Sequence, residues 1–319
     1  MPILCYHGVS LEDEHQWAGG IYVSPECFER RLQWFRELKL NLLTIREAFV
    51  RIRTGTLPER PLVITFDDGH ADFITKVLPL IRKYEVPITL YQTTYYSLES
   101  RPIFRLICNY MLWTKRGTVA KLPAPLPGET DPIDLRTDAA RASLLAKLDR
   151  YAKEQRLSGA GKNELAAALA TALGIDYAMM VASRKLQIMR PEEIAQVASH
   201  VDLQLHTHRH RTPRTRGLFH REIDDNRKVL REITGRDDFI HFCYPSGVVR
   251  PELPGWLAER GIQTATTADY GLWHRQTNPL LIPRYLDKQT ATDHEIEGWV
   301  TGLASLFPNR RWAPRDPEE

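Results

Sequence analysis

Cysteine is scarce in this chain and shows no pairing pattern. Cys5, Cys27, Cys108 and Cys243 are scattered with no CxxC among them, which excludes a zinc finger and a disulfide scaffold. Cys5 and Cys243 lie in apolar runs and read as small buried hydrophobes. Long hydrophobic runs are missing as well: nothing approaches the roughly 18 apolar residues of a membrane span. The opening Met1-Pro2-Ile3-Leu4-Cys5-Tyr6-His7 has neither a basic n-region nor a long apolar h-region, so a cytoplasmic, reduced protein is the expectation. Nor is there charge of one sign. With 43 Lys and Arg against 40 Asp and Glu, the net charge of +3 gives no ground for a nucleic-acid partner. What is present, 43% hydrophobic and 26% charged residues over 319 positions, suits a globular α/β barrel long enough to carry an insertion.

The organising stretch is Pro61-Leu62-Val63-Ile64-Thr65-Phe66-Asp67-Asp68-Gly69-His70. Leu62 to Thr65 reads as a short buried strand, and two adjacent carboxylates follow at its C-terminal end, where Gly69 permits a sharp turn. Two like charges side by side in a desolvated mouth raise each other's pKa unless a cation is near. A metal is the simplest remedy. With one Asp as ligand and the other beside a coordinated water, the pair supplies both a ligand and a general base. The alternative is a plain strand-ending turn.

Around this stretch the chain alternates strand and helix. Ile3 to Tyr6 predicts a strand, Ser24-Pro25 a helix start, Asn41 to Thr44 a strand and Ile45 to Arg51 a helix. Ala71 to Tyr84 has helical spacing, and Val86 to Tyr91 reads as the next strand. This is the pattern of parallel βαβ units, which collect functional groups at the carboxyl ends of their strands. From about 101 to 185 the pattern breaks into a mainly helical insertion with a Pro-rich run from Leu122 to Asp134. It reads as a lid or substrate flap, or as a packing or homodimerisation appendage. Alternation returns with strands at Val201 to Leu205, Phe239 to Tyr244 and Gln263 to Thr267. Leu280 to Ile282 reads as the last barrel strand, and Asn309 to Glu319 as a frayed tail.

His206 and His210, four apart at the end of a strand, can face one point if the backbone arcs. Zinc accepts imidazole and carboxylate oxygen together, so Asp68, His206 and His210 make three ligands with an open position for water. A His-rich loop alone can equally be surface decoration.

Thr65-Phe66-Asp67-Asp68-Gly69 together with His206-Thr207-x-x-His210 resembles the first two motifs of the polysaccharide deacetylase family, the NodB-homology or family 4 carbohydrate esterases. Tyr6-His7-Gly8-Val9 and the turn Phe242-Cys243-Tyr244-Pro245-Ser246-Gly247 look like its poly-N-acetylglucosamine branch. The resemblance implies a distorted (β/α)7 NodB-type barrel over 1–319, with 101–185 inserted, and metal-dependent removal of N-acetyl groups from an amino sugar. In that reading Asp67 is the base, and Asp68, His206 and His210 hold zinc, with cobalt, nickel or manganese as alternatives. A backbone N–H near Ser246 meets the oxyanion, and His7, Tyr244, Ser246 and Arg284 contact substrate. Thr207 orients the His loop.

Departures from the family pattern are specific. Cys243 stands where the third motif carries an Arg, leaving Asp67 to be oriented by another group. Arg284 is the candidate, a surface salt bridge its alternative role; Asp269 is a weak match for the family's partner Asp. No clean general acid is found. His274 is nearest, with an exposed loop histidine as its alternative role, and His7 and His294 come behind it.

The run His208 to Arg216 could hold an anionic sugar, a pyrophosphate-linked carrier or an acidic polymer, or be a solvated basic loop. Tyr91, Tyr95, Tyr96, Trp113 and Trp273 are candidates for stacking on sugar rings. The sequence thus points to an enzyme of surface-polysaccharide synthesis that acts on a polysaccharide or its lipid-linked precursor. A hydrolase of a small amide or cyclic imide, and a catalytically impaired carbohydrate binder, are the other readings.

Overall fold

The computed structural model describes residues 1–99, 101–122 and 132–303. The expected frayed tail and most of the Pro-rich run lie outside the described residues. The chain divides into two units, Met1–Leu98 with Met189–Glu319, and Glu99–Ile188.

In the first unit the strands are β1 (Ile3–Tyr6), β2 (Gly8–Val9), β3 (Tyr22–Val23), β4 (Asn41–Leu43), β5 (Pro61–Phe66) and β6 (Thr89–Gln92). In the second are β7 (Val119–Ala120) and β8 (Ile133–Asp134), and back in the first β9 (Asp202–Leu205), β10 (His241–Cys243), β11 (Thr264–Thr266) and β12 (Tyr285–Leu286). One curled sheet runs β11-β10-β9-β6-β5-β1-β12, with β4 beside β5, and all its pairings are parallel. This is the distorted (β/α)7 barrel. Thr266 and Ile282 bridge its open seam.

Side chains alternate along a strand, so each strand carries two populations. Leu4, Tyr6, Leu62, Ile64, Phe66, Leu90, Leu203, Leu205, Phe242, Tyr244, Ala265 and Tyr285 share one core with the surrounding helices. Burying each of the large ones contributes about 1.5–3 kcal/mol. The alternate positions, Cys5, Thr65, Thr89, Tyr91, Gln204, His241, Cys243, Thr264 and Thr266, are also buried but mostly polar. These face the lumen and need hydrogen-bond partners there. Because every strand of the sheet runs the same way, all carboxyl ends open on one rim.

The helices form where their caps permit. Ser24 Oγ accepts from Cys27 N at 3.1 Å to start Pro25–Glu37, which buries Phe28, Leu32 and Phe35. Thr44 and Glu47 form a reciprocal capping box on Ile45–Thr54. After β5 the expected single helix is instead a π-helical turn, Phe73–Val77, followed by α-helix Leu78–Tyr84. Pro79 has no N–H for the carbonyl four residues back, and the wider turn accommodates that. The last barrel strand is β12 rather than Leu280 to Ile282. Pro283 cannot donate to a ladder, so pairing with β1 begins only after it, at Leu4 and Tyr285.

The second unit packs helix Phe104–Thr114 against Asp138–Glu154 and Gly159–Ala172, with the antiparallel pair β7–β8 and helix Tyr177–Ala182. Among the described residues, no helix is long and apolar enough to cross a membrane.

Candidate metal and catalytic site

Asp67 continues the lumen-facing parity of Val63 and Thr65, and its N–H still donates to Tyr6 O at 2.9 Å. Asp68 then turns left-handed at φ 69°, as does Gly69 at φ 79°. A Cβ on Gly69 would lie 1.9 Å from Gln92 Oε1, so only glycine fits, and Asp68 is swung back over the rim. Across the barrel His206 follows the inward parity of Asp202 and Gln204. Thr207 (φ 60°) and His210 (φ 51°) are left-handed too, and Thr207 Oγ1 accepts from Arg211 N at 3.2 Å, closing the arc.

These turns bring three groups together. His206 Nε2 and His210 Nε2 lie 3.2 and 3.1 Å from Asp68 Oδ1, and the three ligand atoms are all within 4.8 Å of one another. Two ligands at about 2.0–2.1 Å from a tetrahedral zinc stand roughly 3.3 Å apart, so the donor set fits a divalent cation. Asp68 Oδ1 is buried and makes no hydrogen bond of good geometry, as expected of an oxygen shaped for an ion. His206 Nδ1 donates to Cys243 O at 2.9 Å, which leaves the Nε2 lone pair facing Asp68 in the neutral ring. His206 N is fixed on Asn226 Oδ1 at 3.0 Å, and Asn226 in turn donates to Gln92 O and Thr94 Oγ1.

Beside this trio, Asp67 is gripped by Arg284. Nη1 reaches Oδ1 at 2.7 Å and Nη2 reaches Oδ2 at 2.8 Å, and both side chains are buried. Arg284 is itself held by Thr65 Oγ1 (2.9 Å) and Thr267 O (3.0 Å). Burial pushes the Asp67 carboxyl up, but the Arg284 charge and hydrogen bonds outweigh it and hold Asp67 well below the usual carboxylate range. Cys243 and Cys5 thiols also point at Asp67 Oδ2, at 3.3 and 3.5 Å. They are weak donors to a carboxylate rather than the inert hydrophobes their apolar neighbours suggest.

Other expected residues fall elsewhere. His7 is at the rim, its Nε2 3.9 Å from Asp67 Oδ2, and burial pulls its imidazole below the ordinary value. His274 is not at this rim. The adjacent Trp273 donates to Met1 O at 2.8 Å, at the start of β1, while the site lies past its end; six residues of strand put about 20 Å between them. His294 is exposed on helix Asp293–Val300. Tyr244 has the outward parity of Phe242, is 1% exposed, and donates its hydroxyl to Leu280 O, so it does not face substrate. Arg284 is 3% exposed and bound to Asp67, which removes it from direct substrate contact and from a surface salt bridge alike. Asp269 meets it only through backbone, accepting from Arg284 N at 2.9 Å. Ser246 is exposed on the turn after β10, at φ 54°. Arg209 and Arg211 both pair with the buried Glu222, so much of the Arg-rich run is structural. Tyr91 and Trp273 are buried, which leaves the half-buried Tyr95 and Tyr96 as rings of the first unit that can meet a sugar.

Fold and site together define a parallel α/β barrel with an Asp-His-His trio and an Arg-held carboxylate at its C-terminal rim. Residues 54–109, which contain β5 and its carboxylates, match the model of the polysaccharide deacetylase family. The Bacillus subtilis protein YxkH is 29% identical over 92 residues, 28% of this chain and 31% of that protein. A Staphylococcus aureus poly-beta-1,6-N-acetyl-D-glucosamine N-deacetylase is 30% identical over 67 residues, 21% of this chain and 23% of that one. The matched stretches therefore span a third or less of these curated relatives. In fold the likeness is wider. The Streptococcus pyogenes deacetylase PplD, solved with acetate, superposes with a TM-score of 0.61 over 97% of this chain and 98% of that one at 15% identity. IcaB from Ammonifex degensii gives 0.57 over 94% and 96%, also at 15% identity. Residues 54–109 thus resemble the polysaccharide deacetylase family, and the chain as a whole shares the fold of these solved deacetylases.

Proposed function

We propose that this protein is a metal-dependent carbohydrate N-deacetylase, acting on an N-acetylated amino sugar in a polysaccharide or its lipid-linked precursor. The observation that carries the reading is the side-by-side placement of an ionised, oriented carboxylate, Asp67, and the Asp68-His206-His210 trio on one rim. The names of the curated relatives support the substrate class. Imidazole and carboxylate donors favour zinc, with cobalt, nickel or manganese able to substitute.

A divalent ion held by Asp68, His206 and His210 would supply a Lewis acid that polarises the acetyl carbonyl and acidifies the attacking water. The chain supplies the rest. Asp67, kept as a carboxylate by Arg284, takes the proton from the water at Oδ1 or Oδ2. Its bidentate partner fixes the direction in which those oxygens point, so no reorganisation is needed at the moment of transfer. His7 is the imidazole at the rim and serves as the donor to the departing amine, in place of His274. The backbone at the Pro245–Gly247 turn offers an N–H to the oxyanion. Arg284 answers the missing Arg at Cys243 and so favours turnover over a merely sugar-binding protein.

The test is release of acetate from N-acetylglucosamine oligomers by zinc-loaded protein, compared with hydrolysis of small amides and cyclic imides. Acetate release that disappears with Asp67→Asn supports the assignment; faster turnover of the small amides assigns the site to them instead.

A further inference from the structure

The two oxygens of Asp68 are treated differently. Oδ1 faces His206 and His210, whereas Oδ2 lies 3.3 Å from Nε2 of His70, a residue only two positions along the same turn. His70 is 1% exposed, so its ring has one fixed environment. On its other side Nδ1 meets the hydroxyl of Tyr22 at 3.3 Å, and the two rings are 5.4 Å apart.

The Tyr22 O–H donates to Nδ1, which leaves the proton on Nε2, and that edge of the ring lies against the Asp68 carboxylate as an electrostatic contact whose angle is too poor for a hydrogen bond. Tyr22 sits on β3, paired with β2 at Gly8 and Val9. A Cβ at Gly8 would lie 2.3 Å from Tyr22 Cε1, so glycine is what lets the phenol pack there. Val9 N donates to Asp72 Oδ1 at 2.8 Å, tying β2 to the turn that follows His70. The small β2–β3 pair thus has a definite relation to the rim: it backs a line of contacts, Tyr22 hydroxyl to His70 ring to Asp68, that ends on the oxygen turned away from His206 and His210.

We infer that Tyr22 and His70 are positioning residues that hold Asp68 by Oδ2 and make it present Oδ1 alone to the cation. This rests on the metal-site reading above. A carboxylate free of that hold can rotate and offer both oxygens, which raises the coordination number and takes up a position that substrate or water needs. Outer partners of ligand side chains typically change metal affinity by about 10- to 100-fold.

The experiment is titration of metal-free protein with Co2+, reading the dissociation constant and the visible d–d band. His70→Ala is expected to weaken Co2+ binding by about 10- to 100-fold and to lower the band intensity, as a higher-coordinate cobalt does. His70→Gln, whose Nε2 can reach the same oxygen, should restore both, and Tyr22→Phe should weaken binding less than His70→Ala does. Thermal unfolding of the metal-free forms separates a folding defect, and if His70→Ala does not fold, His70→Gln and Tyr22→Phe carry the comparison. Cobalt affinity and spectrum unchanged in His70→Ala and Tyr22→Phe would overturn the inference while leaving the metal site standing. Asp68→Ala that binds Co2+ as tightly as the wild type would overturn the site itself, and the inference with it.

Discussion

Arg284, from the turn before the last strand, closes both carboxylate oxygens of Asp67 at 2.7 and 2.8 Å inside the barrel lumen. Each is the other's counter-charge in a place with almost no water. Removing the cation alone strands a buried anion, which costs about 3–5 kcal/mol. Arg284→Met is therefore expected to lose stability on that scale, measured as a shift in urea midpoint at constant slope. Arg284→Lys keeps the charge but not the fork, and should fold better than the Met variant while turnover still falls at least roughly tenfold.

The two adjacent carboxylates should separate cleanly by role. Asp67→Asn is expected to retain metal and lose turnover, because its side chain is bound to Arg284 rather than to the trio. Asp68→Ala should lose both, since Oδ1 is the oxygen shared with His206 and His210. Metal content after dialysis, read beside acetate release, checks the pair; metal loss in Asp67→Asn would make Asp67 a ligand.

The two histidines considered as acid can be told apart by their rims. His7→Ala should lower turnover by about 10²–10⁴-fold with metal content intact. His274→Ala should leave both unchanged, because it lies at the opposite end of β1. A His274→Ala defect comparable to that of His7→Ala would reverse this assignment.

Below the rim, His241 is buried in the lumen with Nδ1 on Thr264 Oγ1 at 2.7 Å, and burial pulls its pKa down from 6.5 to about 3. The folded protein keeps this ring neutral while the unfolded chain protonates it below 6.5. Its contribution is full above that pH and is lost progressively toward pH 3, at roughly 1.4 kcal/mol per pH unit. The urea midpoint of His241→Gln should therefore fall less steeply than that of wild type between pH 6.5 and 4. Parallel slopes would mean the ring is not a source of acid sensitivity.

Much of the architecture was legible because it is written locally. Leu62 to Thr65 is an apolar strand, Asp67 and Asp68 sit at its end, and Ser24-Pro25 is a cap that needs no distant partner, whereas Thr44, read as a strand end, is the N-cap of the next helix. Strand parity from Phe242 places Tyr244 outward, against the substrate contact that the family resemblance suggested for it. What the residues could not disclose were relations through space. Arg284 meets Asp67 across 217 positions; the missing Arg at Cys243 made it a candidate for that role, but its own neighbours in sequence do not separate this contact from a surface salt bridge. His274 lies near the last strand in sequence, but proximity along the chain does not say which rim a loop occupies. Tyr22 and His70 lie on separate segments, and only the packing of β3 over the turn joins them. The one local hint was Gly8, a glycine in a strand, which marks close approach of another group.

The central claim is that side chains from the turns after β5 and β9 hold one divalent ion. Anomalous diffraction at the zinc edge from crystals grown with zinc tests it most directly. The expected result is a single strong peak about 2.0–2.2 Å from Asp68 Oδ1, His206 Nε2 and His210 Nε2. Full-occupancy zinc elsewhere, with those three atoms bare, would contradict it.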